Sequence, residues 1–217
     1  MHLFYLHGFA SSPGSGKARY LADRFAELGQ SLICPDLNQP DFSTLTITRM
    51  LDQVDRAIEA RQPGPVALIG SSLGGFVALH AAARRAGRLD LRHPIARLVL
   101  LAPAFDFGSP RDIRHGEVAE WKRTDRLDVF HHAYGRTIPV HYALHEDAQQ
   151  YDAYVVDVAV PTLIFQGRGD TVVRPEAAER FAAGRPQVTL RLVDDDHQLQ
   201  GHLEVMWPQI AAFLGLA

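Results

Sequence analysis

Sulfur chemistry is nearly absent from this chain: it has one cysteine, Cys34, so no disulfide can form within it. Set between Ile33 and Pro35, that thiol reads as a small buried hydrophobe rather than a reactive group. Lysine is scarce too, and almost all of the 22 basic residues are arginines scattered along the sequence. With a net charge of −3 there is no basic stripe of the kind a nucleic-acid-binding surface requires. No apolar run reaches the length of about 18 residues that a membrane-spanning helix needs. The first residues, from Met1 to Phe9, contain neither a basic lead-in nor a cleavage site, and the first motif begins at His7. No signal peptide is expected, and the expected compartment is the cytoplasm.

What remains is an ordinary globular composition in 217 residues, enough for one domain with a sizeable core. Short apolar runs at 2–6, 31–34, 65–70, 96–101, 161–166 and 187–193 read as strands. Most are continuously apolar rather than alternating, the mark of parallel strands covered on both faces. Helical patterns lie between them at roughly 16–28, 44–60, 73–86, 175–184 and 200–214. Ser43 is suited to cap the second, and Pro175 to occupy the first turn of the fourth. The alternation predicts a three-layer α/β fold, with a mostly parallel sheet of about six strands between helices. Residues 102–160 interrupt the rhythm. They carry no convincing strand but hold Trp121, Tyr134, Tyr142, Tyr151 and Tyr154 with His131, His132, His141 and His145. So long a connection in a compact domain usually has structure or function of its own. It is expected to be a helical cap insertion over the carboxyl ends of the strands, within a single domain spanning 1–217.

The sharpest chemical signal is Gly70-Ser71-Ser72-Leu73-Gly74, followed by Gly75, between the strand at 65–70 and an apolar helix. This is G-x-S-x-G in the strand–turn–helix setting that gives the pattern its meaning. A serine on so sharp a turn has a strained backbone, and glycines two residues to either side remove side chains that would collide. Only Ser72, not Ser71, has glycine at both positions, and it starts a helix whose dipole favours developing negative charge.

A serine hydroxyl needs a base, and the base needs an acid to orient it. In chain order, Phe165-Gln166-Gly167-Arg168-Gly169-Asp170 offers Asp170 on a turn just past a strand. Asp106, beyond the strand at 96–101, is the rival. For the base, His197 lies in a loop past the last strand, whereas His202 falls within the final helix. Oxyanion donors are expected from the backbone N–H groups of Leu73, after the nucleophile, and Phe9, after the first strand. His7 is expected to pin its own loop. Trp121, Tyr142 and Tyr151 are candidates for shaping an apolar substrate pocket.

Two lookalikes fail. Gly14-Ser15-Gly16-Lys17 suggests a phosphate-binding loop, but Ser11 and Ala18 stand where G-x-x-x-x-G-K-[ST] needs Gly and Ser or Thr. His141 and His145 are spaced to share a helix face, yet no third metal ligand or H-E-x-x-H accompanies them.

The opening Leu6-His7-Gly8-Phe9-Ala10-Ser11-Ser12-Pro13-Gly14-Ser15-Gly16-Lys17-Ala18 resembles the signature of YqiA/YcfP-type esterases in the α/β-hydrolase superfamily. The likeness continues through the serine turn, the Gly169-Asp170 turn and His197. It implies a compact serine esterase acting on acyl esters or thioesters, with Ser72, Asp170 and His197 as triad. The 102–160 segment is longer than the minimal cap of that family. The expectation is therefore a small-molecule ester or thioester substrate, hydrolysed through an acyl-enzyme without metal or cofactor. Thioesterase, amidase and C–C hydrolase activity on the same triad remain open, as does a non-catalytic scaffold binding a ligand or partner.

Overall fold

The computed structural model describes residues 1–86, 92–111 and 115–216. In chain order these form β1 (His2–Leu6), α1 (Gly16–Glu27), β2 (Leu32–Ile33), α2 (Ile47–Glu59), β3 (Val66–Ser71), α3 (Leu73–Ala86) and β4 (Ile95–Leu101). There follow α4 (His115–Thr124), β5 (Leu127–His131), β6 (Arg136–Val140), α5 (Ala143–Ala148), β7 (Thr162–Gly167), α6 (Pro175–Ala182), β8 (Val188–Val193) and α7 (Leu203–Leu214). Six strands make one sheet in the order β2-β1-β3-β4-β7-β8, and every adjacent pair is parallel.

Side chains alternate across this sheet with the two-residue period of a strand. Phe4, Leu6, Leu68, Leu98, Leu100 and Ile164 face one core with residues of α2, α3 and α6. Leu3, Tyr5, Ile69, Val99, Leu101 and Phe165 face the other, where Leu21 and Phe25 of α1 meet Leu203, Met206 and Ile210 of α7. Both faces are covered, which is why these strands read as continuous apolar runs. Cys34 is half-buried beside the second core, and burial pushes its thiol up to about 11, so the thiolate is scarce near neutrality. Among the described residues no helix is long and apolar enough to cross a membrane.

Two local expectations need correction. Ser43 does not cap α2; it lies in a 3-10 turn, Phe42–Thr44, capped by Asp41. The cap of α2 is Thr46, whose hydroxyl accepts from the Arg49 N–H at 3.1 Å. The stretch 102–160 is not purely helical: β5 and β6 pair as an antiparallel hairpin. That segment is tied to the N-terminus of α2, where Asp147 accepts from the Thr48 N–H and hydroxyl, both at 2.7 Å. A carboxylate there satisfies an otherwise unpaired N–H and meets the positive end of the helix dipole.

Because the six strands are parallel, their carboxyl ends share one edge. The loops after β1, β3, β7 and β8 therefore bring His7–Phe9, Ser72, Asp170 and His197 to a single side of the sheet.

Candidate active site

The turn from β3 into α3 holds Ser72 at φ +54°, a left-handed conformation that costs a non-glycine residue about 1–3 kcal/mol. The flanking glycines make this possible. A Cβ at Gly70 would run into the Gly74 carbonyl oxygen, and one at Gly74 into the carbonyl oxygens of Leu6 and His7. The turn is stitched to its neighbours by Ser72 N–H to Leu101 O at 2.9 Å and Ala104 N–H to Ser72 O at 3.1 Å. Ser72 is thus held by backbone on both sides.

Another close approach brings the other two groups together. A Cβ at Gly167, the last residue of β7, would sit 2.5 Å from the carbonyl oxygens of Asp195 and Asp196. Without a side chain there, the loop after β8 can lie against the turn after β7, and Gly169 N–H bonds Asp195 O at 3.0 Å. Across this contact Nδ1 of His197 lies 2.8 Å from Oδ2 of Asp170, and Nε2 lies 3.0 Å from Oγ of Ser72. An ionised carboxylate only accepts hydrogen bonds, so it places the imidazole proton on Nδ1 and leaves Nε2 free to accept the serine proton.

The Asp170 side chain is fully buried and saturated with donors. Its Oδ1 accepts from the N–H groups of Val172 at 2.9 Å and Val173 at 2.8 Å; its Oδ2 also accepts from Gln166 Nε2 at 2.9 Å. Burial pushes this carboxyl up, but the bonds from His197, Val173 and Gln166 outweigh it and hold it below its ordinary value. It is an acid kept ionised. Asp106, the rival, is elsewhere: Arg180 pairs with it at 2.8 Å and the Tyr154 hydroxyl donates to it at 2.7 Å.

Beside the serine turn, a Cβ at Gly8 would be 3.2 Å from Ser71 O and Ser72 Cβ, so the loop after β1 passes close to Ser72. Leu37 N–H donates to His7 Nε2 at 3.1 Å, which leaves the ring proton on Nδ1 to donate to Gly8 O at 3.0 Å. Because a trans peptide opposes its C=O and N–H, the Phe9 N–H points away from His7. The Leu73 N–H, at the start of α3, has no intrahelical acceptor.

Ser72, Phe9 and Leu73 line a cavity of about 690 Å³ together with Phe107, Val173 and Ala177. Arg111, Glu117, Arg174 and the Asp106–Arg180 pair add polar groups to its wall. Trp121, Tyr142 and Tyr151 do not line it, contrary to expectation. Trp121 is buried with its indole N–H on Val140 O at 2.8 Å and its ring edge-on to Tyr142; Tyr151 bonds Thr48 at 2.7 Å. Trp121 and Tyr142 pack within the 102–160 segment, and Tyr151 packs that segment against α2 and α3. The apolar lining comes instead from Phe9, Leu73, Ala104 and Phe107 and from Val172 and Val173, just before α6, a stretch that no sequence motif marks.

Solved structures with the same architecture are numerous. A protein from Agrobacterium vitis S4, whose hydrolase name is provisional, shares 27% identity at a TM-score of 0.87, over 98% of this chain and 87% of that one. Alpha/beta hydrolase domain-containing protein 10 from mouse shares 19% at 0.77, over 99% and 89%. Est1E from Butyrivibrio proteoclasticus, seen with ferulic acid bound, shares 22% at 0.77, over 99% and 88%. No curated protein matches the chain. A family model covers residues 2–215. The chain has the α/β-hydrolase fold and belongs to the uncharacterised protein family UPF0227, the YqiA/YcfP-type family that its opening signature resembles.

Proposed function

We propose that this protein is a serine hydrolase that cleaves carboxylic esters through an acyl-enzyme. The observation that carries this reading is the unbroken relay Ser72 Oγ–His197 Nε2 at 3.0 Å and His197 Nδ1–Asp170 Oδ2 at 2.8 Å, opening on a cavity. Ser72 Oγ attacks the ester carbonyl carbon while its proton passes to His197 Nε2. The tetrahedral oxyanion receives the N–H groups of Phe9 and Leu73. As the ester C–O bond breaks, the leaving alkoxide takes the proton back from His197. Water, deprotonated by the same imidazole, then releases the acid and restores Ser72. Asp170 keeps the imidazole in the tautomer that both steps require and stabilises its cation.

The 102–160 segment acts as the cap of the site, supplying Phe107, Arg111 and Glu117 to the wall. Est1E, a structure of like fold with ferulic acid bound, agrees with a small-molecule substrate. Steady-state hydrolysis of p-nitrophenyl esters of increasing acyl length tests the proposal. Turnover by the native chain that falls at least about 10⁴-fold in Ser72→Ala is the expected result. Turnover surviving in that variant overturns it.

A further inference from the structure

The second residue of α1 is a lysine, Lys17, and it is only 7% exposed. Ammonium groups are seldom buried to this degree unless paired, because leaving water is costly. Its Nζ donates to the carbonyl oxygen of Gln198 at 2.9 Å, the residue directly after His197. Around it lie the carboxylates of Asp170, Asp196 and Asp195, in falling order of influence. Burial pulls the ammonium down to about 8, and those carboxylates oppose the drop. Asp195 is itself bonded to His202 at 3.0 Å, at the turn that leads into α7.

The loop that Lys17 grips is bent sharply. Asp196 Oδ1 accepts from the Gln198 N–H at 2.7 Å, and Leu199 takes a left-handed φ of +53°. The start of α1 lies close on the same loop, since a Cβ at Gly16 would be 3.2 Å from the Gln200 side chain.

We infer that Lys17 is a positioning residue for the general base: it clamps the His197 loop to α1 and brings a positive charge to the neighbourhood of the Asp170 carboxylate. The charge has a definite sign of effect. A positive charge there favours the Asp170 carboxylate and opposes a second positive charge beside it, so its removal is expected to move the acid limb of labelling upward. The clamp limits movement of the imidazole relative to Ser72, where a displacement of about 1 Å can cost about 100-fold in rate.

This inference rests on the serine-hydrolase reading, and one experiment separates the two. The second-order rate of fluorophosphonate labelling is measured against pH for the native chain, Lys17→Met, Lys17→Gln and Lys17→Arg, with thermal melts of each. Lys17→Met is expected to label at least about 10-fold more slowly at pH 7, with its acid limb moved up by about half a pH unit or more. Lys17→Gln keeps a donor but no charge, so it shows the same upward shift and stands in if Lys17→Met does not fold. Lys17→Arg keeps charge and donors, and its limb stays at the native pH. A limb unmoved in both neutral variants overturns the inference, even if their melting temperatures fall, because Lys17 would then serve the fold alone. A native chain that fails to label overturns this inference and the hydrolase reading together.

Discussion

Gly167 and Asp195 touch with no room for a side chain between them: a methyl group on the glycine would sit 2.5 Å from the aspartate's carbonyl oxygen. That contact seats the loop after β8 on the turn after β7, and the His197–Asp170 bond spans the two. Gly167→Ala should push the loops apart. Hydrolysis is expected to fall at least about 10-fold while a cooperative melt survives, because the strain falls on a loop contact more than on the core. Parallel kinetic and calorimetric measurements on the variant check this.

The assignment of the acid has its own pair of variants. Asp170→Asn should lose about 10⁴-fold in kcat, since an amide can donate to Nδ1 and favour the wrong tautomer. Asp106→Asn should change kcat by no more than a few fold, because Asp106 is bound to Arg180 and Tyr154 and not to His197. The reverse ranking in steady-state assays would move the acid role to Asp106.

The strain at Ser72 predicts a stability effect of different origin. Gly74→Ala places a methyl against the Leu6 and His7 carbonyl oxygens, which are backbone and cannot turn aside. A loss of about 3 kcal/mol is expected in urea unfolding. Gly135→Ala provides the contrast. Its φ of +62° is strained for alanine, but nothing lies within 4 Å of the new methyl, so the expected loss is about 1 kcal/mol.

His80 supplies a pH prediction. It is buried in α3 against Phe76 and Tyr151, its Nε2 has no partner among the described residues, and burial lowers it to about 4. Its native state stays neutral while the unfolded chain takes up a proton below about 6.5, so stability falls with pH between roughly 6.5 and 4. His80→Leu removes that term, on the order of 2–3 kcal/mol at the acid end. Urea melts at pH 7 and pH 4.5 should therefore differ less in His80→Leu than in the native chain.

Much of this architecture could be read from the residues alone, for a physical reason. A strand buried on both faces must be apolar at nearly every position, so β3 and β7 announce themselves. The β5–β6 hairpin was invisible because it is two-stranded and largely exposed. Leu127, Val129, Ile138 and Val140 alternate with polar or exposed partners such as Asp128 and Pro139, leaving a signal only four or five residues long. The cap of α2 is ambiguous in sequence because Ser43 and Thr46 carry the same hydroxyl, and only the 3-10 turn at Asp41 decides between them. Ser72, Asp170 and His197 stood out because each lies on a loop just past a strand, flanked by glycines or by strand and helix patterns. The cavity wall did not stand out. Whether Trp121 points into a cavity or into its own segment depends on tertiary packing that periodicity does not encode.

The proposed chemistry depends on the reactivity of one hydroxyl, that of Ser72. Mass spectrometry of the chain after fluorophosphonate treatment measures it directly. A single adduct on the peptide carrying Ser72, absent in Ser72→Ala and strongly reduced in His197→Ala, is the predicted result. An unlabelled chain, or an adduct that persists in Ser72→Ala, would contradict it.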